Sequence, residues 1–194
     1  MPELSDKELI DSTLSGNDYS FSQLMNRYQD LIFTLAVRIT KNDQIAEEVA
    51  QNTFIRAYKF LKSFEHKSKF STWLYKIGYN LSLNALKKEN RSKEFFSDQD
   101  LQDSERGGNL DEDHKSLLDI ADSKNISELL NECIDELPAK YGSVLTLFHL
   151  NQLKYEEISK ITGSPIGTVK SYLFRGRSLL RELIINRYEK WELI

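Results

Sequence analysis

Residues 155–181 predict two short helices joined by a tight turn, and this feature constrains the fold more than any other part of the chain. Ile158 and Ile161 have the three-residue spacing of a buried helix side, and Gly163 suits the end of that helix, where a positive φ is needed. Ser164 is placed to cap the next helix, and the proline after it to occupy the first turn. The charged residues predicted to face water on the first helix are Glu156, Glu157 and Lys160.

The second predicted helix has an apolar face and a polar face. Its apolar stripe contains Ile166, Val169, Leu173, Leu180 and Leu183. Its polar face contains short and cationic side chains, namely Thr168, Lys170, Ser171, Arg175 and Arg177. Such side chains reach phosphates and base edges when a helix enters the major groove. A surface helix with solvated cations is the plain alternative, but the short turn and the partner helix favour DNA reading.

Composition and the absence of other motifs exclude several functions. With 194 residues, 40% of them apolar, the chain can form one sizeable core or two small ones, and we expect two. No apolar run approaches the roughly 18 residues of a membrane span, and no secretory leader is visible, so we expect a cytoplasmic protein. Cys133 is the single cysteine, which excludes an intramolecular disulfide. Because His66, His114 and His149 are far apart and catalytic motifs are missing, we expect no enzyme, no cofactor and no metal.

The net charge of −4 is unevenly distributed. Residues 94–122 contain ten acidic residues against two basic ones, whereas residues 59–91 and 165–187 are basic. We interpret the acidic segment, residues 92–124, as a flexible linker between two helical domains at residues 1–91 and 125–194. An acidic segment can also lie across a basic nucleic-acid channel as a phosphate mimic, although solubility is the simpler explanation.

The first domain is predicted to be entirely helical. Ser5 and Glu8 have the spacing of a capping box, and further helices are predicted from Phe21 to about Ile39 and after Asn42. The core stripe predicted for the third helix is Ala46, Val49, Ala50, Thr53, Phe54, Ala57 and Leu61. Its remaining surface includes Glu48, Gln51, Asn52, Ile55 and Arg56. That surface is either ordinary solvated helix or a docking surface for another protein.

Aromatic and cationic residues are interleaved in residues 64–88. The predicted buried stripe of this helix is Leu74, Ile77, Gly78, Leu81 and Ala85, and another face carries Trp73, Lys76, Asn80, Asn84 and Lys87. Rings stack on unpaired bases, amides bond base edges and lysines hold phosphates, so the cluster suits single-stranded nucleic acid. Core packing competes as an explanation, and for Phe70 and Tyr75 taken singly it is favoured.

At this level of detail the chain resembles the extracytoplasmic-function (ECF, group 4) sigma factors. The residues that carry the resemblance are AEEVAQNTFIRAYKFLKSF with FSTWLYKIGYNLSLNALKK in the first domain, and residues 137–183 in the second. A helix-turn-helix alone is a modest signal, but both signatures in this order around a variable acidic linker are highly specific. The resemblance implies an all-α subunit of bacterial RNA polymerase, with a first domain that opens the −10 element and a second that reads the −35 element as duplex.

The resemblance also implies roles for individual residues. Those expected at the −35 element are Thr168, Lys170, Ser171, Tyr172, Phe174 and Arg175. Those expected around the melted −10 strand are Phe64, Lys69, Phe70, Ser71, Trp73, Lys76, Ile77 and Asn80. Those expected to face the clamp helices of the largest polymerase subunit are Glu48, Gln51, Asn52, Ile55 and Arg56. Further expected partners are the flap of the second-largest subunit, promoter DNA and an anti-sigma factor.

Three positions depart from the family pattern. Tyr172 stands where Arg is common, so one DNA contact is absent or becomes aromatic. Gly176 stands where Ala is usual, at a cost of about 1 kcal/mol of helix propensity unless close packing requires it. Asn52 stands where Glu is common, which weakens charge complementarity at the clamp.

Two other functions fit parts of the sequence. One is a helix-turn-helix regulator that binds an operator as a dimer, and the other is a single-strand-binding protein that uses the aromatic cluster. A dimeric regulator needs a symmetric apolar interface, for which the only candidate is the final segment, residues 179–194. Binding to core RNA polymerase distinguishes a sigma factor from both.

Overall fold

The computed structural model describes the backbone of residues 4–94 and 124–191, and the side chains of residues 4–89 and 129–187. Within the described ranges the chain is helical without a strand, which confirms the predicted all-α class. The first unit contains α1 (Asp6–Leu14), α2 (Asp18–Thr40), α3 (Asp43–Phe60) and α4 (Phe70–Glu94). The second unit contains α5 (Lys124–Glu136), α6 (Ala139–Leu145), α7 (Tyr155–Thr162) and α8 (Ile166–Trp191). The predicted acidic linker lies almost entirely outside the described residues.

Local hydrogen bonds set the helix starts in the first unit. The Ser5 N–H donates to Glu8 Oε2 at 2.8 Å and the Glu8 N–H donates to Ser5 Oγ at 3.3 Å, which confirms the capping box. The hydroxyl of Ser5 bonds the Glu8 carboxylate and lowers its pKa. At the start of α3, Asn42 Oδ1 accepts from the Ile45 N–H at 3.1 Å. Side chains close to these helix starts therefore satisfy backbone groups that the helices leave unpaired.

The core of the first unit forms where α2, α3 and α4 pack together. The predicted α3 stripe is buried at Ala46, Val49, Thr53, Phe54, Ala57 and Leu61, whereas Ala50 is partly buried at its edge. On α4, Leu74 and Gly78 are buried, and the other three predicted positions are partly buried. Residues 61–63 form a 3₁₀ turn, and His66 has a φ of 55°, so α4 begins only at Phe70.

The second unit packs α5, α6 and α7 against α8. Its buried residues include Cys133, Leu137, Leu145, Ile158, Val169, Leu173 and Leu180. A π-helical turn at Thr146–Leu150 follows α6 directly. The prediction that Ile166 belongs to the buried stripe is wrong, since its side chain is 40% exposed. Ile166 is the first residue of α8.

The two units also contact each other. α2 lies against α5 and α6, and α4 lies against α7. Arg38 of α2 is 4% exposed at the first of these contacts. At the second contact, Glu157 of α7 is only 18% exposed and lies 3.6 Å from Lys69 Nζ, so the prediction that Glu157 faces water is wrong.

Candidate nucleic-acid interfaces

The turn between α7 and α8 is short and closed by hydrogen bonds. Gly163 has a φ of 72° and its N–H donates to the Ser159 carbonyl at 2.9 Å, so it ends α7 as predicted. The Ser159 hydroxyl donates to the Ser164 carbonyl at 2.7 Å, and the Ser164 N–H donates to Thr162 Oγ1 at 3.2 Å. α8 begins at Ile166, and the Val169 N–H donates to the Pro165 carbonyl at 3.0 Å, so Pro165 is the residue just before the helix. The prediction that Ser164 caps α8 and Pro165 occupies its first turn is therefore wrong by one residue, and the Ser164 backbone is held by α7 instead.

The predicted DNA face of α8 is divided between exposed and half-buried side chains. Lys170, Ser171 and Phe174 are exposed, and the Ser171 hydroxyl donates to the Gly167 carbonyl at 3.0 Å. Thr168, Tyr172 and Arg175 are half-buried. The ring of Tyr172 packs edge-on against Tyr141 with centroids 5.6 Å apart. Tyr172 is therefore held partly by the second unit's own core, whereas the first three side chains are open to a ligand.

Two stacked rings support the basic residues of α8. Phe148 and Tyr155 stack with centroids 5.2 Å apart and an interplanar angle of 16°. Lys170 Nζ lies 5.7 Å from the Tyr155 centroid, and the Arg177 guanidinium lies 5.3 Å from the Phe148 centroid. Cation–π attraction at these distances restricts where the two cations can point. The sequence pattern did not predict this support. Its only signal in the sequence is a pair of aromatic residues, seven positions apart, that precede the turn.

His149 completes this cluster of rings. Arg177 Nε–H donates to His149 Nε2 at 3.3 Å. Burial and the nearby Arg177 charge lower the pKa of His149, so the neutral imidazole is favoured near pH 7. A neutral ring can accept from Arg177, which holds this cation beside the polar face of α8.

A second aromatic cluster surrounds the start of α4. Phe64 and Phe70 are 8% and 3% exposed, and Trp73 is half-buried. The centroid of the Trp73 ring lies 5.3 Å from that of Phe64 and 5.7 Å from that of Phe70, and Tyr28 contacts Phe70 edge-on. Phe64 and Phe70 thus form the base of the cluster, and Trp73 is the ring that is open to a ligand.

The other predicted −10 residues lie along α4 and just before it. Lys69, Lys76 and Asn80 are exposed, whereas Ser71 and Ile77 are half-buried. Trp73 and Asn80 are seven residues apart, which places them on nearly the same side of one helix, two turns from each other. The structure therefore gives a ring, an amide and cations on one side of α4. This is the combination of groups that suits unstacked bases and their phosphates.

Comparison with known proteins identifies the family. The Sigma-70 region 2 model matches residues 24–92, and the Sigma-70, region 4 model matches residues 127–180. The ECF RNA polymerase sigma factor SigW of Bacillus subtilis (strain 168) is 33% identical over 183 residues, which cover 93% of this chain and 97% of that protein. The chain belongs to the ECF sigma factor family. The sigma-E factor of Haemophilus influenzae (strain ATCC 51907 / DSM 11121 / KW20 / Rd) is 31% identical, with 94% and 96% of the two chains covered.

Solved structures share the fold of this ECF sigma factor. The sigma factor RpoE in its complex with the anti-sigma factor NepR from Bartonella quintana has a TM-score of 0.63 and 22% identity, covering 84% of this chain and 96% of that one. CnrH in complex with the cytosolic domain of CnrY also has a TM-score of 0.63, with 18% identity and coverage of 93% and 97%. The helical fold of this sigma factor is therefore shared with both.

The α3 surface of the sigma factor is the third candidate interface. Glu48, Gln51, Asn52, Ile55 and Arg56 are all exposed. Ile55 stands out because it is an apolar side chain that is 64% exposed. Tyr58, one turn further along, is 47% exposed and its hydroxyl donates to Asp18 Oδ1 at 2.6 Å. Because a single exposed apolar side chain is normal on a protein surface, the assignment of this surface to polymerase stays a prediction.

Close packing explains the glycine at position 176. A Cβ at Gly176 would lie 3.0 Å from Leu145 Cδ1 and 3.3 Å from Tyr141 Cβ. α6 and α8 therefore approach each other more closely than an alanine would permit without movement. The departure from the family pattern at this position has a packing reason, which offsets its cost in helix propensity.

Among residues 4–94 and 124–191, no helix is both long and apolar enough to cross a membrane. Among residues 4–89 and 129–187, whose side chains are described, no group of three or more His, Cys, Asp or Glu residues is arranged to hold a metal ion.

Proposed function

We propose that this ECF sigma factor binds core RNA polymerase in the cytoplasm and directs initiation at promoters with two separate elements. The exposed face of α8 reads the −35 element as duplex, and the α4 side with Trp73 and Asn80 holds the non-template strand of the −10 element. The observation that carries the proposal is the presence of both surfaces in one chain. A basic helix on a short turn suits a major groove, whereas an exposed ring beside an amide suits unstacked bases.

The proposed mechanism consists of binding, without a catalytic step by the sigma factor itself. Taking a base out of the stack costs a few kcal/mol, and stacking and hydrogen bonding of the extruded base can offset that cost. If only the correct base fits, recognition and melting become one event. Contacts between α8 and the −35 phosphates supply anchoring energy, and a few side chains supply specificity.

The packing of the last helix disfavours the dimeric regulator. Leu179, Leu183 and Ile184 pack against the core of the chain itself. Arg187 forms ion pairs with Glu132 and Glu136 of α5. The candidate dimer interface was the segment 179–194. Its described residues pack mainly within one chain, although Ile185 is 45% exposed.

The proposed protein partners are core polymerase and an anti-sigma factor. The clamp helices of the largest subunit would dock on the α3 surface, and the flap of the second-largest subunit would contact the second unit. An anti-sigma factor would cover DNA-binding and polymerase-binding surfaces. This proposal is supported by the two solved relatives of the same fold, which are complexes of RpoE with NepR and of CnrH with CnrY.

Reconstituted transcription tests the function directly. Purified core RNA polymerase is incubated with the full chain and a library of promoter fragments, and transcripts are sequenced. We expect transcripts from a small set of promoters with shared −35 and −10 sequences. A chain that binds DNA but does not alter the start sites of core polymerase would contradict the proposal.

Arg175→Ala is expected to weaken binding to the −35 duplex by about 1–3 kcal/mol and to relax specificity at one base pair, because a bidentate arginine contact discriminates between bases. Binding is measured by fluorescence anisotropy against single-base variants of the element. Arg181→Ala, an exposed arginine six residues further along α8, serves as the control. Equal weakening at every variant would assign Arg175 to a phosphate instead.

Asn80→Ala is expected to reduce opening of the −10 element by about 1–2 kcal/mol while −35 binding stays unchanged, because the lost hydrogen bonds form only after a base is extruded. Permanganate footprinting measures opening of the −10 element, and a binding assay with −35 duplex measures the affinity for that element. Asn26→Ala, at an exposed asparagine of α2, is the matched control.

A pre-opened template provides an internal check on the Asn80→Ala result. A mismatch bubble over the −10 element removes the cost of unpairing, so the variant should recover much of its activity there. Normal opening of the matched template by the variant, or an equal loss of −35 binding, would contradict the proposed role of Asn80.

A further inference from the structure

Tyr28 of α2 connects α1 with the ring cluster at the start of α4. Its hydroxyl donates to Asp6 Oδ2 at 2.6 Å, and the other carboxylate oxygen of Asp6 forms an ion pair with Arg27. Arg27 also donates to the Leu4 carbonyl at 2.7 Å. Burial and the hydrogen bond to Asp6 raise the pKa of Tyr28, so the phenol keeps its proton and remains the donor. The first turn of α1 therefore fixes the position of this hydroxyl.

The ring of Tyr28 contacts the cluster through Phe70. The two centroids are 5.8 Å apart and the planes meet at 60°, which is an edge-on contact. Phe70 is 3% exposed, and its centroid lies 5.7 Å from that of Phe64 and 5.7 Å from that of Trp73. A continuous series of contacts thus runs from the Asp6 carboxylate to Trp73, the half-buried ring that is proposed to meet an extruded base.

α1 also lies against the turn that precedes the cluster. Besides α2, it contacts the 3₁₀ turn at Leu61–Ser63. The Phe64 N–H donates to the Leu61 carbonyl at 3.1 Å, so this turn determines where the chain places Phe64. The two phenylalanine rings that contact Trp73 are thus both reached from α1, one through Tyr28 and the other through the turn.

The polar contact itself contributes little to holding α1 in place. Leu9 and Ile10 of α1 are 0% and 1% exposed, so their burial provides most of the packing energy. The Asp6 and Arg27 side chains are 27% and 25% exposed, and ion pairs that are open to water contribute modestly. The hydrogen bond between Asp6 and Tyr28 mainly adds direction, because an edge-on contact depends on the orientation of both rings.

We propose that Asp6 and Tyr28 are positioning residues of the −10 surface, which act through Phe70 to hold Trp73 in the orientation that stacks on an extruded base. This role rests on the proposed function, and it adds α1 to the parts of the chain that promoter opening requires. A ring that is free to tilt must be ordered at the moment of binding, and that ordering lowers the affinity. Neither positioning residue has to touch DNA for this effect.

Two variants interrupt the series of contacts at different points. Tyr28→Phe keeps the ring and removes only the hydroxyl, and the partly exposed Asp6 stays paired with Arg27, so no fully buried polar group loses its partner. Asp6→Ala removes the carboxylate and leaves the capping box of α1 in place. The matched controls are Tyr19→Phe on α2 and Asp11→Ala on α1, where the same substitutions fall on exposed residues.

The freedom of the Trp73 ring is measured in the full chain without DNA. The sequence contains two tryptophans, so every protein compared also carries Trp191→Phe, which leaves Trp73 as the single tryptophan. We expect Tyr28→Phe and Asp6→Ala to increase the quenching of Trp73 fluorescence by acrylamide and to speed the rotation of its ring in time-resolved anisotropy. The physical reason is that a loosened ring is more accessible to solvent. The two controls should behave as the parent chain does.

DNA binding is measured with the chain bound to core polymerase. The probe is a labelled single-stranded oligonucleotide with the −10 non-template sequence of a promoter from the transcription assay. Tyr28→Phe should weaken its binding about two- to fivefold, a part of the energy of one edge-on ring contact, while the affinity for −35 duplex stays unchanged. In a Trp73→Ala chain the same substitution should have no further effect, since a residue that acts through Trp73 then has nothing to position.

Different outcomes bear on the positioning role and on the proposed function. Unchanged quenching and rotation of Trp73 in Tyr28→Phe would overturn the positioning role, whatever the transcription assay shows, and so would unchanged oligonucleotide binding. Additive effects of Tyr28→Phe and Trp73→Ala, or an equal loss of −35 affinity, would assign Tyr28 to the general stability of the first unit instead. Failure of the unmodified chain to direct initiation would contradict the proposed function and leave the fluorescence result for Trp73 standing.

Discussion

The double substitution Gln51→Glu with Ile55→Lys is expected to lower the affinity for core polymerase by about 100-fold or more. The two residues lie one turn apart on the exposed side of α3, and Ile55 is 64% exposed in the free chain. When an interface covers this position, the introduced charges lose their water without gaining designed partners, which costs several kcal/mol. The net charge of the chain does not change, so long-range attraction to polymerase is preserved.

Competition for core enzyme measures this affinity, with circular dichroism as the test of folding. The matched control places the same charges on α2, as Gln29→Glu with Asn26→Lys, where both residues are exposed. We expect the control to compete as well as the unmodified chain. Undiminished competition by the α3 variant with intact helicity would remove this surface from the docking site.

Gly176→Val is expected to destabilise the second unit by about 2–3 kcal/mol. Even a single added carbon at this position would lie 3.0 Å from Leu145 Cδ1 and 3.3 Å from Tyr141 Cβ. Leu145 can rotate, but the Tyr141 Cβ is attached directly to the backbone of α6, so α6 and α8 must move apart. Valine adds two further methyl groups and is also a poorer helix former than alanine.

Thermal unfolding followed by circular dichroism tests this prediction, with an expected drop in Tm of about 8 °C or more. Gly167→Ala on the same helix is the control. A Cβ at Gly167 would meet no atom within 4 Å, so alanine should raise stability by about 0.5 kcal/mol. A Gly176→Val variant that unfolds at the same temperature as the unmodified chain would show that α6 and α8 are not packed this tightly.

Features that depend on neighbours in sequence were predictable. The capping box at Ser5 and Glu8 and the end of α7 at Gly163 involve residues no more than four positions apart, and both are confirmed. The buried side of α3 follows from helical periodicity and is confirmed except at its edge. The family was predictable as well, because both helical signatures occur in order along the chain. The contacts at the capping box and at Gly163 join residues that lie close together in the sequence.

Features that depend on contacts between distant segments were missed. The partners of Glu157 lie more than eighty positions earlier in the chain, so periodicity alone predicted a solvated carboxylate. Tyr172 was expected on the DNA side, but a contact with Tyr141 draws its ring partly toward the core. The π-helical turn at Thr146–Leu150 likewise has no local signal. The assignment of single residues to DNA and polymerase remains a prediction, because it depends on contacts with those partners and not on contacts within the chain.

The burial of Cys133 determines how the chain reacts with thiol reagents. The side chain is fully covered, and burial raises the pKa of the thiol above its ordinary value. Because the thiolate is the reactive form, alkylating dyes and mild oxidants should react slowly with the folded protein. Cysteines introduced on the surface of either unit can therefore be labelled selectively while the native Cys133 stays in place.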